Sequence, residues 1–191
     1  MQKESFVFRN AILAVLILIV AACSPAKPSF KGSVINPPLS AAEIKLTDHN
    51  GQPFTLSGQR GKVVLLYFGY TNCPDECPLT MTHVKQALES LGEEAKNVQV
   101  IMVTTDPQRD TPQVLKDYLK NFNPTFLGLT GTSQELQKVW SDYGVAVEEG
   151  GGAHSTYLYV IDPKGNFRET FHPDSEPADI SADVRLLLKG N

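Results

Sequence analysis

The sequence lacks the features that usually identify proteins that bind nucleic acids or nucleotides. Its 191 residues carry 17 basic and 21 acidic side chains, a formal net charge of -4. No basic stripe is therefore available to neutralise phosphates, and we expect no nucleic acid partner. Neither a G-x-x-x-x-G-K-[ST] loop nor a G-x-G-x-x-G turn is present, so nucleotide binding has no support. Internal repeats are also absent, and the length fits one globular domain with an appendage.

Long hydrophobic runs are scarce, and the longest stands near the start of the chain. It covers the twelve residues 11–22, which is too short to span a bilayer comfortably. Charged residues precede it, small residues end it, and the sequence Val20-Ala21-Ala22-Cys23 follows the pattern of an export signal. This pattern resembles the lipobox of bacterial lipoproteins. The resemblance implies that residues 1–22 are a signal peptide, that cleavage precedes Cys23 and that a lipid on this cysteine holds the protein at the extracytoplasmic face of a bacterial membrane.

Two other interpretations of this segment remain open, a plain secretory signal and an uncleaved anchor helix. After Cys23, the sixteen residues 24–39 hold four prolines among small and polar residues. This composition predicts an extended tether that could reach about 50 Å at about 3.1 Å per residue. We therefore expect residues 23–40 to be a lipidated cysteine with its tether and residues 41–191 to be the folded domain.

The folded part alternates strand and helix patterns. Residues 62–69 and 98–104 are nearly all apolar, as in central strands buried on both faces. Each is followed by a stretch with apolar residues spaced three and four apart, which indicates helices. Asn50-Gly51 between two short alternating segments predicts a hairpin. Together these patterns predict an α/β fold of thioredoxin-like type, a mixed sheet flanked by helices with an N-terminal β-hairpin.

Only three cysteines are present, and the export interpretation assigns Cys23, so Cys73 and Cys77 remain as a pair. Both lie between the first central strand and the following helix, at the sheet edge where sites form in open α/β sheets. A C-x-x-x-C spacing brings the sulfurs to one side if the intervening segment is helix-like. On spacing alone, a structural or redox disulfide and a metal site are both open.

The histidines distinguish these possibilities. His83 lies six residues beyond Cys77, about 240° around the helix, and so faces away from the sulfurs. His49 and His172 stand in polar turns where a solvated surface role is expected. His154 follows a glycine-rich stretch and precedes the strand predicted over residues 157–161, which we expect beside the cysteine-bearing strand. Two thiolates and one imidazole form a soft three-ligand set suited to copper.

Two further residues are candidates for this site. Met81 could offer a thioether, but its place in an apolar helical stripe indicates core packing. Asp106 ends the second central strand at the same edge as the cysteines. It could orient a ligand as a supporting carboxylate, or it could end the strand and pair with Arg109.

At these residues the chain resembles the Sco/SenC family, thioredoxin-fold copper chaperones that act in cytochrome c oxidase assembly. The matching segments are Cys73-Pro74-Asp75-Glu76-Cys77-Pro78, residues 67–71, residues 105–112, and His154-Ser155 before residues 157–165. The resemblance covers the chain from about residue 41 to its end. It implies copper ligands at Cys73, Cys77 and His154, with Asp106 as a nearby carboxylate. The cargo is then one copper, as Cu(I), Cu(II) or both, delivered to the dinuclear copper site of the oxidase or to another copper acceptor.

A rival hypothesis is a thiol/disulfide oxidoreductase in which Cys73 and Cys77 form a redox-active dithiol that reduces partner cysteines. In that case His154 is dispensable. A peroxidase is disfavoured, because Cys73 has no basic residue beside it in the sequence to stabilise a reactive thiolate.

Overall fold

An eight-stranded mixed sheet forms the centre of the protein. The computed structural model describes residues 29–148 and 156–190. Its strands are β1 (Ser33–Ser40), β2 (Lys45–Asp48), β3 (Pro53–Thr55), β4 (Val63–Gly69), β5 (Val98–Thr104), β6 (Leu127–Thr130), β7 (Leu158–Ile161) and β8 (Asn166–Phe171). Its α-helices are α1 (Glu76–Leu91), α2 (Pro112–Leu119), α3 (Ser133–Asp142) and α4 (Pro177–Leu188). The strands lie in the order β1-β8-β7-β4-β5-β6-β2-β3.

The two central strands match the buried strands predicted from the sequence. Every residue of β4 is buried, and β5 lies parallel to it. Because side chains alternate along a strand, Leu65 and Tyr67 pack on one face with α1 and α4, while Leu66 and Phe68 pack on the other face with α3. The helices therefore cover both faces of a mixed sheet, as predicted for a thioredoxin-like α/β fold.

Several chain segments meet at one end of the sheet, here called the carboxyl edge. Strands β4 and β5 both end there, and helices α1 and α2 start there. Strand β7 runs antiparallel to β4, with Tyr67 opposite Leu158, so β7 begins at the same edge. Strand β8 runs antiparallel to β7 and ends there, with Phe171 opposite Leu158.

The start of the folded domain differs from the expectation. Residues 33–40, predicted as part of the tether, form β1, which pairs with β8. Phe30 packs against the core, and the guanidinium of Arg168 lies 5.2 Å from the centre of its ring. The prediction that the packed structure starts at residue 41 is therefore wrong. Proline cannot donate to a strand ladder, but an edge strand such as β1 tolerates it, and the prolines lie where the β1 register shifts.

The predicted hairpin is confirmed, although it is not the first element. Strands β2 and β3 pair around the turn at residues 49–52, and β2 also pairs with β6. The hairpin thus closes the sheet edge opposite to β1. Among residues 29–148 and 156–190, none of the helices combines the length and the apolar character needed to cross a membrane. The predicted signal peptide and Cys23 lie outside the described residues.

Candidate metal centre

Both cysteines of the C-x-x-x-C segment lie at the carboxyl edge, between β4 and α1. Their thiols are free and not joined in a disulfide. Cys73 is partly exposed, whereas Cys77 is only 3% exposed. The two sulfurs therefore differ in access to solvent, and a metal ion or a reactant in solution meets Cys73 first.

Cys73 lies in a tight turn against the first turn of α1. Its N–H donates to the carbonyl of Tyr70 at 3.3 Å. Its Sγ accepts a hydrogen bond from the N–H of Cys77 at 3.4 Å. Asp75, the residue before the helix, makes no side-chain capping bond. The sulfur of Cys73 thus accepts a hydrogen bond from one of the N–H groups that the start of a helix leaves without a partner in the helix.

Cys77 packs against the end of β4. The hydroxyl of Tyr67 donates to Cys77 Sγ at 3.5 Å. At Gly69, a Cβ atom would lie 2.9 Å from the same sulfur and 2.6 Å from the ring of Tyr67. Only a residue without a side chain therefore lets the sulfur lie this close to the strand end.

The surroundings of Cys77 keep its thiol protonated in the metal-free protein. Burial raises the pKa of Cys77 to about 12, and the hydrogen bond from Tyr67 opposes part of this effect. Burial, followed by the neighbouring cysteines, also raises the pKa of Tyr67, Tyr70 and Tyr118. Three neutral tyrosines therefore lie near the sulfurs at neutral pH and supply hydroxyl groups without charge.

Asp110 joins the cysteine segment to the end of β5. It is 1% exposed, and both of its carboxylate oxygens lie 3.2 Å from the N–H of Thr71. Hydroxyl groups also donate to it, from Thr71 at 2.5 Å and from Thr104 at 2.7 Å. The indole of Trp140 on α3 donates to the carbonyl of Thr104 at 3.1 Å. Asp110 thereby fixes the turn at residues 70–73, which holds Cys73.

Asp106 is buried at the same edge, with 5% of its surface exposed. Its carboxylate forms an ion pair with Arg109, and its N–H donates to the hydroxyl of Thr104 at 2.9 Å. The pairing with Arg109 considered from the sequence is therefore present. Its role as a carboxylate that supports a metal ligand stays a prediction.

His154, the third predicted ligand, lies outside the described residues. The strand that follows it, β7, does pair with β4, as the sequence argument requires. Within residues 29–148 and 156–190, no group of three or more His, Cys, Asp or Glu side chains is arranged to hold a metal ion. The described part of the candidate site is thus the thiol pair.

The other candidate ligands take different roles. His49 Nδ1 accepts a hydrogen bond from the N–H of Gly128 at 3.0 Å, so this histidine joins its turn to β6. His172 is exposed, with Nδ1 2.6 Å from Asp174. Met81 is fully buried in the core, as predicted.

Sequence reasoning missed Tyr67 and Asp110 as functional residues. Both lie in segments that it identified, but their partners lie 10 and 39 positions away in the chain. The nearly continuous apolar run of β4 predicts that Tyr67 is buried, yet a hydroxyl in a buried stretch needs a polar partner. This requirement could have predicted, from the sequence, that the Tyr67 hydroxyl contacts a polar group near the end of β4.

Chemically, this arrangement offers two sulfur donors with unequal access. Thiolate sulfur is a soft ligand that selects copper(I), zinc or iron–sulfur clusters, and two thiolates fall short of the four ligands of a structural zinc site. The same pair could also be oxidised to a disulfide. The hydroxyl and N–H donors near the sulfurs are compatible both with metal binding and with disulfide formation.

Comparison with known proteins gives the family. The family model described as SCO1/SenC matches residues 35–189. The SCO2-like protein of Rickettsia felis is 36% identical over 158 residues, covering 78% of this chain and 75% of that protein. The structure of Bradyrhizobium japonicum ScoI with copper bound is 34% identical, with a TM-score of 0.69 over 78% of this chain and 99% of that one.

A SCO1/SenC family lipoprotein from Bacillus anthracis is also similar in structure. It is 27% identical, with a TM-score of 0.69 over 80% of this chain and 98% of that one. The matches cover β1 to α4, and with them the sheet, its helices and the cysteine segment. On this evidence, the chain belongs to the SCO1/SenC family.

Proposed function

We propose that this protein is a membrane-anchored copper metallochaperone. It binds one copper through Cys73, Cys77 and His154 and delivers it to the dinuclear copper site of cytochrome c oxidase. The observation that carries the proposal is the pair of free thiols at the carboxyl edge, one accessible and one buried, in a SCO1/SenC chain. The copper bound to the similar ScoI protein supports copper as the cargo.

The donor set suits a carrier that must both hold and release its metal. Two thiolates and an imidazole bind copper strongly and leave room for a further ligand from the acceptor. Copper can then pass by ligand exchange, without a stage as a bare ion. Because the thiol of Cys77 is protonated in the free protein, copper binding at this residue releases a proton.

The ligand set is tested by titrating the reduced full-length protein in detergent with copper, in competition with a chelator of known affinity. We expect one copper per chain and at least about tenfold weaker binding in His154→Ala, Cys73→Ser and Cys77→Ser. His172→Ala is the matched control, since it removes an exposed histidine from the same edge. Unchanged binding in His154→Ala would remove this residue from the ligand set.

The absorption spectrum gives a second test of sulfur ligation. An intense thiolate charge-transfer band should appear when cupric ion is added to the reduced protein, and it should be lost in both cysteine variants. A spectrum without this band would count against cysteine ligation of Cu(II).

The place of action follows from the predicted lipid on Cys23. In this proposal the lipid holds the folded domain at the extracytoplasmic face of a bacterial membrane, beside the membrane-bound oxidase. The similar lipoprotein from Bacillus anthracis supports this location.

A second function is favoured by the unequal access of the two thiols. In a thiol/disulfide oxidoreductase, an accessible cysteine attacks the partner disulfide and a second cysteine then resolves the mixed disulfide. Cys73 and Cys77 differ in this way. Reduction of a disulfide-containing partner by the His154→Ala variant at the wild-type rate, with copper binding lost, would assign the dithiol to this chemistry.

A further inference from the structure

Large apolar side chains are exposed at two separate places in the described part of the chain. Val34 and Leu39 lie on the edge strand β1. Leu79, Val114 and Tyr157 are 42%, 39% and 43% exposed and lie at the carboxyl edge. Scattered single apolar residues are normal on a protein surface, but several around a reactive site indicate an interaction surface.

The three residues at the carboxyl edge come from three different elements. Leu79 is in the first turn of α1, Val114 is in the first turn of α2, and Tyr157 directly precedes β7. The ring of Tyr157 packs edge-on against His172 at 5.7 Å, and His172 Nδ1 lies 2.6 Å from Asp174. Tyr157 is thus supported by a neighbouring side chain while much of its surface stays open to solvent.

The charge next to the cysteines is acidic. Asp75 and Glu76 lie between the two cysteines and are exposed. Neither forms an ion pair with a residue in the ranges 29–148 and 156–190. The nearby Arg109 already pairs with Asp106. A partner that docks here therefore meets two carboxylates whose charge is not compensated within the described structure.

Copper transfer by ligand exchange requires direct contact between the two proteins. Metal–sulfur bonds are about 2.3 Å long, so a ligand of the acceptor must come within bonding distance of copper at Cys73 and Cys77. Exposed side chains at the same edge then lie close to the partner. Burying apolar side chains and pairing charges across such a contact stabilises it.

We propose that Leu79, Val114 and Tyr157, together with Asp75 and Glu76, form the docking surface for the copper acceptor. The partner is a folded domain that presents its copper ligands within an apolar patch bordered by lysine or arginine. The apolar residues lower the dissociation rate, and the two carboxylates raise the association rate through charge attraction. This inference rests on the proposed function and adds which surface of the chain meets the acceptor.

The test measures copper transfer from the full-length protein in detergent to the reduced, copper-free soluble domain of the oxidase subunit that holds the dinuclear copper site. The variant carries Leu79→Ser, Val114→Ser and Tyr157→Ser. The matched control carries Val34→Ser and Leu39→Ser, which removes similarly exposed apolar residues from β1. We expect the second-order transfer rate constant to fall at least about tenfold in the first variant and to stay within about twofold in the control. Copper affinity and the rate of copper loss to a small chelator should stay near wild type in both.

A second variant tests the charges. Asp75→Asn with Glu76→Gln should slow transfer and reduce its dependence on ionic strength, because it removes the attraction to a basic partner.

Wild-type transfer rates in the triple-serine variant would overturn the docking surface and leave the proposed function standing. Faster transfer in the charge variant would overturn the basic border of the partner. If the wild-type protein binds copper but transfers none to the domain, the delivery function fails and the docking surface fails with it.

Discussion

Cys73 and Cys77 have the same side chain but different chemical surroundings. Cys73 is partly exposed, and its sulfur accepts an N–H from the first turn of α1. Cys77 is almost fully buried beside Tyr67, and burial raises its pKa to about 12. Four positions along the chain therefore separate an accessible sulfur from a protected one.

This difference predicts unequal alkylation of the two thiols. In the metal-free, reduced protein at pH 8, iodoacetamide should modify Cys73 at least about tenfold faster than Cys77, because only thiolate reacts and a buried thiol with a high pKa supplies little of it. Peptide mass spectrometry over time gives both rates. Cys73→Ser and Cys77→Ser provide the matched single-thiol controls, and equal rates would contradict the assigned difference.

A second pair of residues, far from the cysteines in the sequence, links stability to pH. Glu169 on β8 and Asp183 on α4 are both fully buried. Asp183 Oδ2 accepts hydrogen bonds from the N–H groups of Lys31 at 2.5 Å and Gly32 at 3.0 Å. Burial, followed by the neighbouring Asp183, raises the pKa of Glu169 to about 9, while Arg168 opposes the shift. In the folded protein, Glu169 is therefore protonated at neutral pH.

The sign of the pH effect follows from this shift. Between its ordinary value of 4.5 and about 9, Glu169 holds a proton in the folded state but not in the unfolded state. Its contribution to the free energy of unfolding therefore falls as pH rises through this range, on the order of 1 kcal/mol per pH unit. Glu169→Gln keeps a neutral side chain of similar shape and should remove that slope.

We therefore expect Glu169→Gln to be more stable than wild type above about pH 7, with a gap that widens up to about pH 9. Urea unfolding at several pH values measures the difference. Glu89→Gln, which changes an exposed glutamate on α1, is the control and should follow wild type. A parallel pH dependence for Glu169→Gln and wild type would contradict the assignment of the proton to Glu169.

At the scale of elements, Asp110 connects two segments that the chain separates by a helix. Its carboxylate accepts hydrogen bonds from Thr71, beside the cysteine turn, and from Thr104 at the end of β5. Asp110 accepts both the backbone N–H and the hydroxyl of Thr71, so the position of the turn at residues 70–73 depends on a residue just before α2. The geometry of the thiol pair is in this way coupled to the second central strand.

Removing this carboxylate should loosen the cysteine segment. Asp110→Ala leaves the partly buried donors of Thr71 and the buried hydroxyl of Thr104 without their acceptor, which should cost about 2–4 kcal/mol of stability. It should also raise the alkylation rate of Cys77 under conditions where the variant remains folded. Asp117→Ala, at a more exposed position on α2, should change stability by only about 0.5 kcal/mol. An Asp110→Ala variant with wild-type stability and thiol protection would contradict the proposed connection.

The first strand, β1, is an element that the local sequence pattern did not predict. Proline-rich composition in residues 24–39 predicts a solvated tether. Yet β1 covers residues 33–40 because β8 offers an open edge, and because the N–H groups of Lys31 and Gly32 find a buried acceptor in Asp183. Both partners lie more than 120 residues further along the chain. Local composition therefore could not indicate this pairing.

At the scale of the whole molecule, the proposed function needs a domain that stays at the membrane while its carboxyl edge meets a partner. The lipid attachment at Cys23 is a sequence prediction that can be tested directly. After growth with an alkyne-labelled fatty acid, wild-type protein should carry the label and Cys23→Ser should not. Cys73→Ser and Cys77→Ser are controls that should keep it. Labelling of Cys23→Ser, or none of the wild-type protein, would contradict lipidation at this cysteine.

The sequence by itself determined the α/β class, the central strands, the helices that follow them and the location of the cysteine pair between β4 and α1. These features depend on local patterns, namely apolar periodicity and the turn residues between strands. It also indicated the family through the C-P-x-x-C-P segment at residues 73–78 and the other matching segments.

Only the tertiary structure decided that β1 joins the sheet, that Tyr67 contacts Cys77, that Asp110 holds the cysteine turn and that Glu169 lies buried beside Asp183. Each of these depends on groups that are distant in the chain and adjacent in the fold. Burial and hydrogen bonding between such groups arise from the packing of the whole sheet, and no local pattern in the sequence specifies them.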